Sequence, residues 1–277
     1  SKNNVSPRIN DNTLDPHLND LEVLSSWVLM QLIIGTWGNF PVVSSKSVTA
    51  VNNPGVNNVK PEYLAALSVN PLTALRLLED FETLNKGDVV IQNGANSMVG
   101  QCVLQLAKLK GVKTINIIRQ ERPGYEELVA RMKQHGGYIV CGDKYMRTAQ
   151  FRELIKDLPQ PKLALNCTGG DTVTEMSRLL APGGTLVTYG GMARRPVTVP
   201  TSALLFKDIK LRGFWLTAWN EKNPEKRAQA LDQLVSLVAE DKLRLWVERH
   251  SFSSLNLALA RAEEPFKDRK VLLSLQQ

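Results

Sequence analysis

Cysteine, histidine and long apolar runs are scarce in this chain of 277 residues. Its three cysteines are odd in number, far apart and without a C-x-x-C pair, which argues against a disulfide framework and a zinc site. The three histidines show no metal-ligand spacing, so no metal is predicted. The best apolar stretch, residues 28–34, is interrupted by Gln31 and is much shorter than the roughly 20 residues that span a bilayer. No membrane span is predicted.

Long runs of basic residues are also absent, although 34 Lys and Arg stand against 27 Asp and Glu, a net charge of +7. The charge favours anionic partners such as phosphorylated cofactors, whereas the scattering of basic residues argues against nucleic acid. With 43% hydrophobic and 22% charged residues, the composition is that of globular proteins with a sizeable core. The length suggests about two domains, at roughly 150 residues each.

Short β-branched runs alternate with segments of helical period from about Pro71 onward, which is typical of parallel βαβ units. The sequence therefore predicts an α/β fold with a Rossmann-type doubly wound parallel sheet. Six strands are predicted, at Val89–Gln92, Lys113–Ile118, Tyr138–Cys141, Leu163–Cys167, Thr185–Tyr189 and Leu211–Trp215. Five helices are predicted, at Val99–Lys110, Tyr125–Gln134, Thr148–Asp157, Thr172–Leu180 and Glu225–Glu240. From Leu243 a strand, a helix and a final strand at Val271–Leu275 are expected.

The turn after the first of these strands, Asn93–Gly100, leads directly into a helix. Free backbone N–H groups and the helix dipole at such a place bind anions, so a cofactor pyrophosphate is predicted there. The strict G-x-G-x-x-G pattern is absent, since only Gly94 and Gly100 are present. An ordinary strand-to-helix turn is the alternative interpretation.

Arg119 and Arg122 follow the second predicted strand, where an acidic residue would bind the ribose of NAD. Arginine suits the 2′-phosphate of NADPH instead, although a solvated surface charge is the alternative. Glycine pairs follow two later strands, at Gly169–Gly170 and Gly190–Gly191, where open α/β sheets bind ligands. Cys141 and Cys167 end hydrophobic strands without a nearby histidine, and are interpreted as packing residues rather than nucleophiles.

Several motifs together resemble one family. They are Asn70–Ala74, Gln92–Ser97, Thr114–Asn116, Leu163–Asn166, Tyr189–Met192 and Gly213–Leu216. From about Asn70 to the end, the chain resembles the mitochondrial trans-2-enoyl-CoA reductases of the medium-chain dehydrogenase/reductase superfamily. The resemblance implies NADPH-dependent reduction of a 2-enoyl thioester in mitochondrial fatty acid synthesis, with hydride passing to the β-carbon and a proton to the α-carbon.

The resemblance also implies domains, partners and cofactor positions. An NADPH-binding Rossmann domain is expected over 71–242, beside a partial GroES-like, mainly-β substrate domain formed by 1–70 and 243–277. An enoyl-CoA or enoyl-acyl-carrier-protein substrate, a homodimer formed through the edge strand at Leu211–Trp215, and a place in the mitochondrial matrix are expected. The predicted cofactor-binding residues, with Arg122 added for its position near Arg119, are Asn70, Asn96, Ser97, Met98, Val99, Arg119, Arg122, Tyr189, Gly190, Gly191, Met192, Phe214, Trp215, Leu216 and Lys270.

The chain departs from the family in two places. Met98 stands where relatives usually have a glycine, so it is expected to crowd the pyrophosphate or shift the turn. The stretch that carries the family's catalytic tyrosine is expected to be largely missing between residues 5–10 and 27–37, and no tyrosine precedes Tyr63. No catalytic residue is therefore predicted. Three hypotheses stay open: an enoyl thioester reductase in a shortened or impaired form, an inactive NADPH-binding or dimer-partner protein, and a quinone-type reductase.

Overall fold

A computed structural model describes residues 28–30, 48–51 and 53–274 of the chain, with no side-chain detail for 28–30 and 48–50. Two short strands, β1 (Val28–Met30) and β2 (Val48–Ala50), pair antiparallel. The expectations about residues 1–27 and 31–47, including the shortened amino-terminal region, otherwise lie outside the described residues.

Six parallel strands form the central sheet, as the sequence predicts. Their order across the sheet is β5-β4-β3-β6-β7-β8, so the first strand in sequence, β3, lies in the middle beside the fourth, β6. This is the doubly wound Rossmann order, with its switch point between β3 and β6. The strands are β3 Val89–Asn93, β4 Lys113–Ile118, β5 Ile139–Gly142, β6 Leu163–Asn166, β7 Thr185–Thr188 and β8 Lys210–Gly213.

Ten α-helices occur in the described part of the chain, and several begin where the sequence supplies a start signal. Proline opens α1 and α2, where its missing N–H has no cost. Ser97 and Thr148 cap α3 and α5 by accepting a backbone N–H. The helices are α1 Pro61–Leu67, α2 Asn70–Glu79, α3 Met98–Leu109, α4 Tyr125–Gln134, α5 Ala149–Ile155, α6 Asp171–Leu179, α7 Thr201–Lys207, α8 Leu216–Lys222, α9 Pro224–Ala239 and α10 Leu255–Glu263.

The strands β3 to β7 are buried on both faces of the sheet, so their residues do not alternate between buried and exposed, whereas β8 at the edge is exposed. Within β3, Val90 belongs to the core on one face, whereas Val89 and Ile91 belong to the core on the other. The first core is closed by α2, α3 and α9, with Leu231 and others fully buried. The second includes Phe151 of α5, which is also fully buried.

The carboxyl-terminal segment forms a small unit of its own, with β9 (Val247–Ser251) and β10 (Lys270–Ser274) paired in parallel around α10. The predicted order of strand, helix and strand is confirmed. Gln105 of α3 attaches this unit to the Rossmann part: its amide donates to the Arg244 carbonyl at 3.0 Å and accepts from the Arg244 N–H at 2.9 Å. The proposed division at residues 70 and 243 stays a prediction.

Several local predictions need correction. The sixth strand ends at Gly213 rather than Trp215, because the chain turns there into α8 at Leu216. The third strand begins at Ile139, since the Tyr138 side chain is half-exposed beside the ammonium group of Lys113. Four helices, α1, α2, α7 and α8, are not predicted from the sequence. Three of them, α1, α7 and α8, have only seven residues, which is about two turns and gives a weak helical period.

Candidate functional site: a basic cleft at the switch point

A cleft of about 950 Å³ lies at the carboxyl ends of β3 and β6, where doubly wound sheets bind ligands. The segment Glu264–Lys270, which leads into β10, forms its far wall. Eight of the fifteen predicted cofactor residues border this cleft. They are Asn70, Asn96, Ser97, Met98, Arg119, Arg122, Met192 and Lys270.

Two glycines shape the turn between β3 and α3. Gly94 has φ of +56°, and a Cβ there would lie 2.4 Å from the Sγ of Cys167. A Cβ on Gly100 would lie 2.5 Å from the carbonyl oxygen of Ala95. The first glycine thus permits a tight turn and the second lets the helix pack closely on it, which are the roles of the outer glycines in dinucleotide-binding turns.

Ser97 begins α3 at the cleft, and its hydroxyl accepts the N–H of Gly100 at 3.2 Å. The remaining free N–H groups of the first turn, together with the helix dipole, favour an anion there. Met98 is only 8% exposed and packs in the first core, so little of its side chain faces the cleft. This burial weakens the expectation that Met98 crowds a pyrophosphate, and the expectation stays a prediction.

A pair of buried asparagines fixes the two loops at the switch point. Asn93 donates to the Asn166 Oδ1 at 2.8 Å and accepts the N–H of Cys167 at 2.8 Å. Asn166 Oδ1 also accepts the N–H groups of Thr168 and Gly169, at 3.2 and 2.9 Å. Because buried hydrogen bonds of this kind are costly to break, they fix the loops after β3 and β6 in position relative to each other.

The cleft wall is basic, with eight basic and four acidic residues. The basic residues are Arg119, Arg122, Lys144, Arg147, Arg195, Lys267, Arg269 and Lys270, and the acidic ones are Asp143, Asp171, Glu264 and Asp268. Among the described residues, neither Arg119 nor Arg122 forms an ion pair, whereas Arg131 pairs with Asp268. Burial and the charge of Arg119 lower the pKa of Arg122. Two neighbouring guanidinium groups without a carboxylate favour a bound anion.

Comparisons with known proteins decide the family. A family model described as zinc-binding dehydrogenase matches residues 99–236. A curated relative, the mitochondrial enoyl-[acyl-carrier-protein] reductase of Dictyostelium discoideum, is 47% identical over 93% of this chain and 71% of its own length. The chain belongs to the mitochondrial enoyl-[acyl-carrier-protein] reductase family. The human relative is 40% identical over 87% of this chain, which spans only 64% of that protein.

Solved structures of enoyl thioester reductases are similar to this chain and support the same family. The Etr1p/Etr2p heterodimer, a mitochondrial 2-enoyl thioester reductase from Candida tropicalis, superposes with a TM-score of 0.78 at 32% identity, covering 90% of this chain and 73% of that one. A complex of Etr1p with NADP and crotonyl-CoA has a TM-score of 0.76 at 32% identity, covering 83% and 68%. These structures confirm the Rossmann-type fold that the sequence predicts.

The other seven predicted cofactor residues do not border the cleft, and their role stays a prediction. Val99, Tyr189, Phe214 and Leu216 pack against the first core. Trp215 is 70% exposed just beyond the end of β8. The remaining two are Gly190, which lies against Cys167, and Gly191, whose surroundings are open.

Tyr189 is the tyrosine nearest to the switch point. Its hydroxyl is buried beside the thiol of Cys167 and the hydroxyl of Ser97. Burial first, and then the neighbouring Cys167, raise the pKa of Tyr189 well above its usual value. The hydroxyl thus stays neutral.

The cysteines are packing residues, as interpreted from the sequence. Cys102, Cys141 and Cys167 are buried free thiols. Burial raises the pKa of all three, that of Cys141 to about 12, so none is a ready nucleophile. The described residues contain no cluster of three or more His, Cys, Asp or Glu side chains placed to hold a metal. They also contain no helix with the length and hydropathy needed to cross a bilayer.

Sequence reasoning missed the residues that come to the cleft from the carboxyl-terminal segment, above all Phe266 and Asp268. It also missed Gln101, whose amide donates to the carbonyl of Asp268 at 2.7 Å. A single phenylalanine between Pro265 and Lys267 carries no local pattern. The only available signal for Gln101 was its polarity within the apolar period of α3.

Proposed function

We propose that this chain binds NADPH and reduces the C2–C3 double bond of trans-2-enoyl thioesters in mitochondrial fatty acid synthesis. One observation carries the proposal: the basic cleft lies at the switch point of a chain that is 47% identical to a mitochondrial enoyl-[acyl-carrier-protein] reductase. The Etr1p complex with NADP and crotonyl-CoA supplies a cofactor and a thioester of the proposed classes.

The residues present fit a phosphorylated dinucleotide. Gly94 and Gly100 permit the tight turn that leads into α3, and the uncapped main-chain N–H groups at the start of this helix are suited to a pyrophosphate. Arg119 and Arg122 lie on the same cleft without carboxylate partners, which suits the extra 2′-phosphate that distinguishes NADPH from NADH. Lys270 and Asn70 also border the cleft and are available to bind the rest of the cofactor.

NADPH, when bound, supplies the hydride that passes to the β-carbon of the enoyl group. This chain's residues bind the cofactor, orient it and hold the loops of the cleft in place. None of the five tyrosines, all of which lie in the described part of the chain, borders the cleft, and we propose that the α-carbon proton comes from solvent. A missing hydrogen-bond donor at the developing enolate costs on the order of 3 kcal/mol, about a hundredfold in rate. We therefore expect slow turnover.

The proposal is tested by measuring NADPH oxidation with a medium-length trans-2-enoyl-CoA, beside equilibrium binding of NADPH. Turnover with the enoyl thioester supports the reductase, whereas binding without turnover favours the inactive cofactor-binding protein. Turnover with a quinone in place of the thioester favours the quinone-type reductase. A folded sample that neither binds nor oxidises NADPH would contradict the proposal.

Replacement of Arg119 tests the choice of cofactor. Arg119→Ala is expected to lower the preference for NADPH over NADH about tenfold to a hundredfold, because hydrogen bonds to a charged group are worth about 1.5–3 kcal/mol. Arg178→Ala is a matched control, since Arg178 is an exposed arginine outside the cleft that pairs with Glu175. Equal preference in Arg119→Ala and the unchanged chain would remove Arg119 from the site.

A homodimer is proposed as the assembly. In the described structure β8 pairs only with β7, and all four of its residues are exposed. Leu211 of β8 is 46% exposed, and Phe206 of the preceding helix α7 is 78% exposed. The open backbone N–H and C=O groups of an edge strand are suited to pairing with a symmetry-related copy. Light scattering at several concentrations is expected to give twice the mass of one chain, and a monomer throughout would overturn the proposal.

A further inference from the structure

Phe266 lies against both arginines of the proposed 2′-phosphate site. Its ring centroid is 5.3 Å from the Cζ of Arg119 and 5.9 Å from the Cζ of Arg122. The ring is 37% exposed and borders the cleft. It comes from a segment more than 140 positions away in the sequence, so this contact belongs to the tertiary structure alone.

Hydrogen bonds and an ion pair hold the Phe266 segment in place. Arg122 donates through Nη2 to the Phe266 carbonyl at 2.6 Å. Two residues on, the Asp268 carboxylate pairs with Arg131, and the Asp268 carbonyl accepts from Gln101 at 2.7 Å. The segment is therefore attached to α3, to α4 and to the loop that carries the arginines.

The backbone of Phe266 is strained. Its φ is +61°, in the left-handed region that is a steric outlier for a bulky side chain. Such conformations occur where the surrounding contacts enforce them, and they are concentrated at ligand sites. Here the strained backbone accompanies a ring that lies against two cations.

The chemistry explains why a ring, rather than a carboxylate, suits this place. Two guanidinium groups near each other repel, and a carboxylate between them would relieve the repulsion but would also compete with an incoming phosphate. An aromatic face attracts both cations without neutralising them. Arg119 and Arg122 are thus held near one another with their charge available to an anion.

We propose that Phe266 is a positioning residue that orients the guanidinium groups of Arg119 and Arg122 toward the 2′-phosphate of the cofactor. It thereby contributes to the preference for NADPH over NADH. This inference rests on the proposed function, because it assumes that the cofactor carries a 2′-phosphate.

The test measures binding of two small probes by titration calorimetry: adenosine 2′,5′-bisphosphate, which carries the 2′-phosphate, and adenosine 5′-monophosphate, which lacks it. Phe266→Leu is expected to weaken binding of the bisphosphate about fivefold to tenfold and that of the monophosphate less than about twofold. Phe266→Tyr, which keeps the ring, is expected to retain the preference. Phe252→Leu is the matched control, because Phe252 is 38% exposed and lies away from the cleft.

A second variant keeps the test valid if Phe266→Leu folds poorly. Phe266→Gly adopts φ of +61° without steric cost and removes the ring, so it is expected to fold and to lose the preference. If both variants without the ring keep the full preference for the bisphosphate over the monophosphate, this inference is overturned and the proposed function is not affected. An equal weakening of the binding of both probes would also overturn it, since that result indicates that the cleft has lost its structure. An unchanged chain without any preference would overturn the NADPH assignment and this inference together.

Discussion

The two ends of the cleft are built in different ways. The proposed pyrophosphate end comes from one stretch of chain, residues 93–100, and its shape depends on close packing around Gly94 and Gly100. The proposed 2′-phosphate end joins Arg119 and Arg122 to Phe266, which lies far away in the sequence. The first end depends on the absence of side chains, whereas the second depends on the presence of three particular ones.

The two ends of the cleft also differ in how deeply their residues are buried. Asn93 and Asn166, which fix the first end, are 1% and 0% exposed and bond to each other. Phe266 at the second end is 37% exposed, and its contacts with the arginines are charge-to-ring contacts. A substitution at the first end therefore has to disturb the core, whereas one at the second end changes selectivity with little effect on folding. Two predictions test this contrast and a third tests the packing of the carboxyl-terminal segment, from the largest expected effect to the smallest.

Gly94→Val is expected to have the largest effect. A Cβ at this position would lie 2.4 Å from the Cys167 Sγ, and φ of +56° is strained for a β-branched residue. Overpacking and strain together are expected to lower the free energy of unfolding by about 3 kcal/mol, measured by urea denaturation, and to abolish nucleotide binding. Gly213→Ala is the control, because nothing lies within 4 Å of its added Cβ. Similar losses in both variants would contradict the packing argument.

Gln101→Leu tests the attachment between the two ends. It leaves the carbonyls of Asn96 and Asp268 without their donor, at an expected cost of about 1–3 kcal/mol in the free energy of unfolding. Preference for the 2′-phosphate probe is also expected to fall, because Asp268 adjoins the Phe266 segment. Gln105→Leu is matched in chemistry but bonds to Arg244 instead, and should cost stability with the preference intact. The attachment has no role in selectivity if the two variants bind the probes alike.

His135→Gln is expected to have the smallest effect, visible only as a change in pH dependence. His135 packs on Trp246 of the carboxyl-terminal segment, at 5.1 Å between ring centroids. Burial first, then the charges of Arg244, Arg131 and Lys108, lower the pKa of His135 below 6.5.

The direction of the change in stability with pH follows from this lowered pKa of His135. Above about pH 6.5 both folded and unfolded states hold a neutral imidazole, so this group adds no pH dependence. As the pH falls below that value the unfolded state binds the proton first, and the free energy of unfolding decreases until the folded pKa is passed. Urea midpoints compared near pH 7.5 and pH 5.5 should fall further in the unchanged chain than in His135→Gln. An equal fall in both would remove His135 from the pH response.

Most of the fold could be predicted because its signals are local. Each of the six predicted strands overlaps an observed one, because a β-branched run bounded by turn residues can be recognised from a few neighbouring residues. The helices α1, α2, α7 and α8 were missed, and three of them have only seven residues, too few for a strong helical period. At the site, Arg119 and Ser97 could be predicted from their distance to recognisable strand ends. Phe266 could not, because nothing nearby in sequence marks it.

The sequence by itself determined the doubly wound sheet, the turn with Gly94 and Gly100, and the arginines after β4. Each of these depends on interactions between residues close in the chain or on patterns that repeat along it. Only the tertiary structure decided that Phe266 and Asp268 complete the cleft and that Tyr189 turns its hydroxyl into the core. Those placements depend on how the carboxyl-terminal segment packs on α3 and α4, and contacts between distant segments leave no local pattern in the chain.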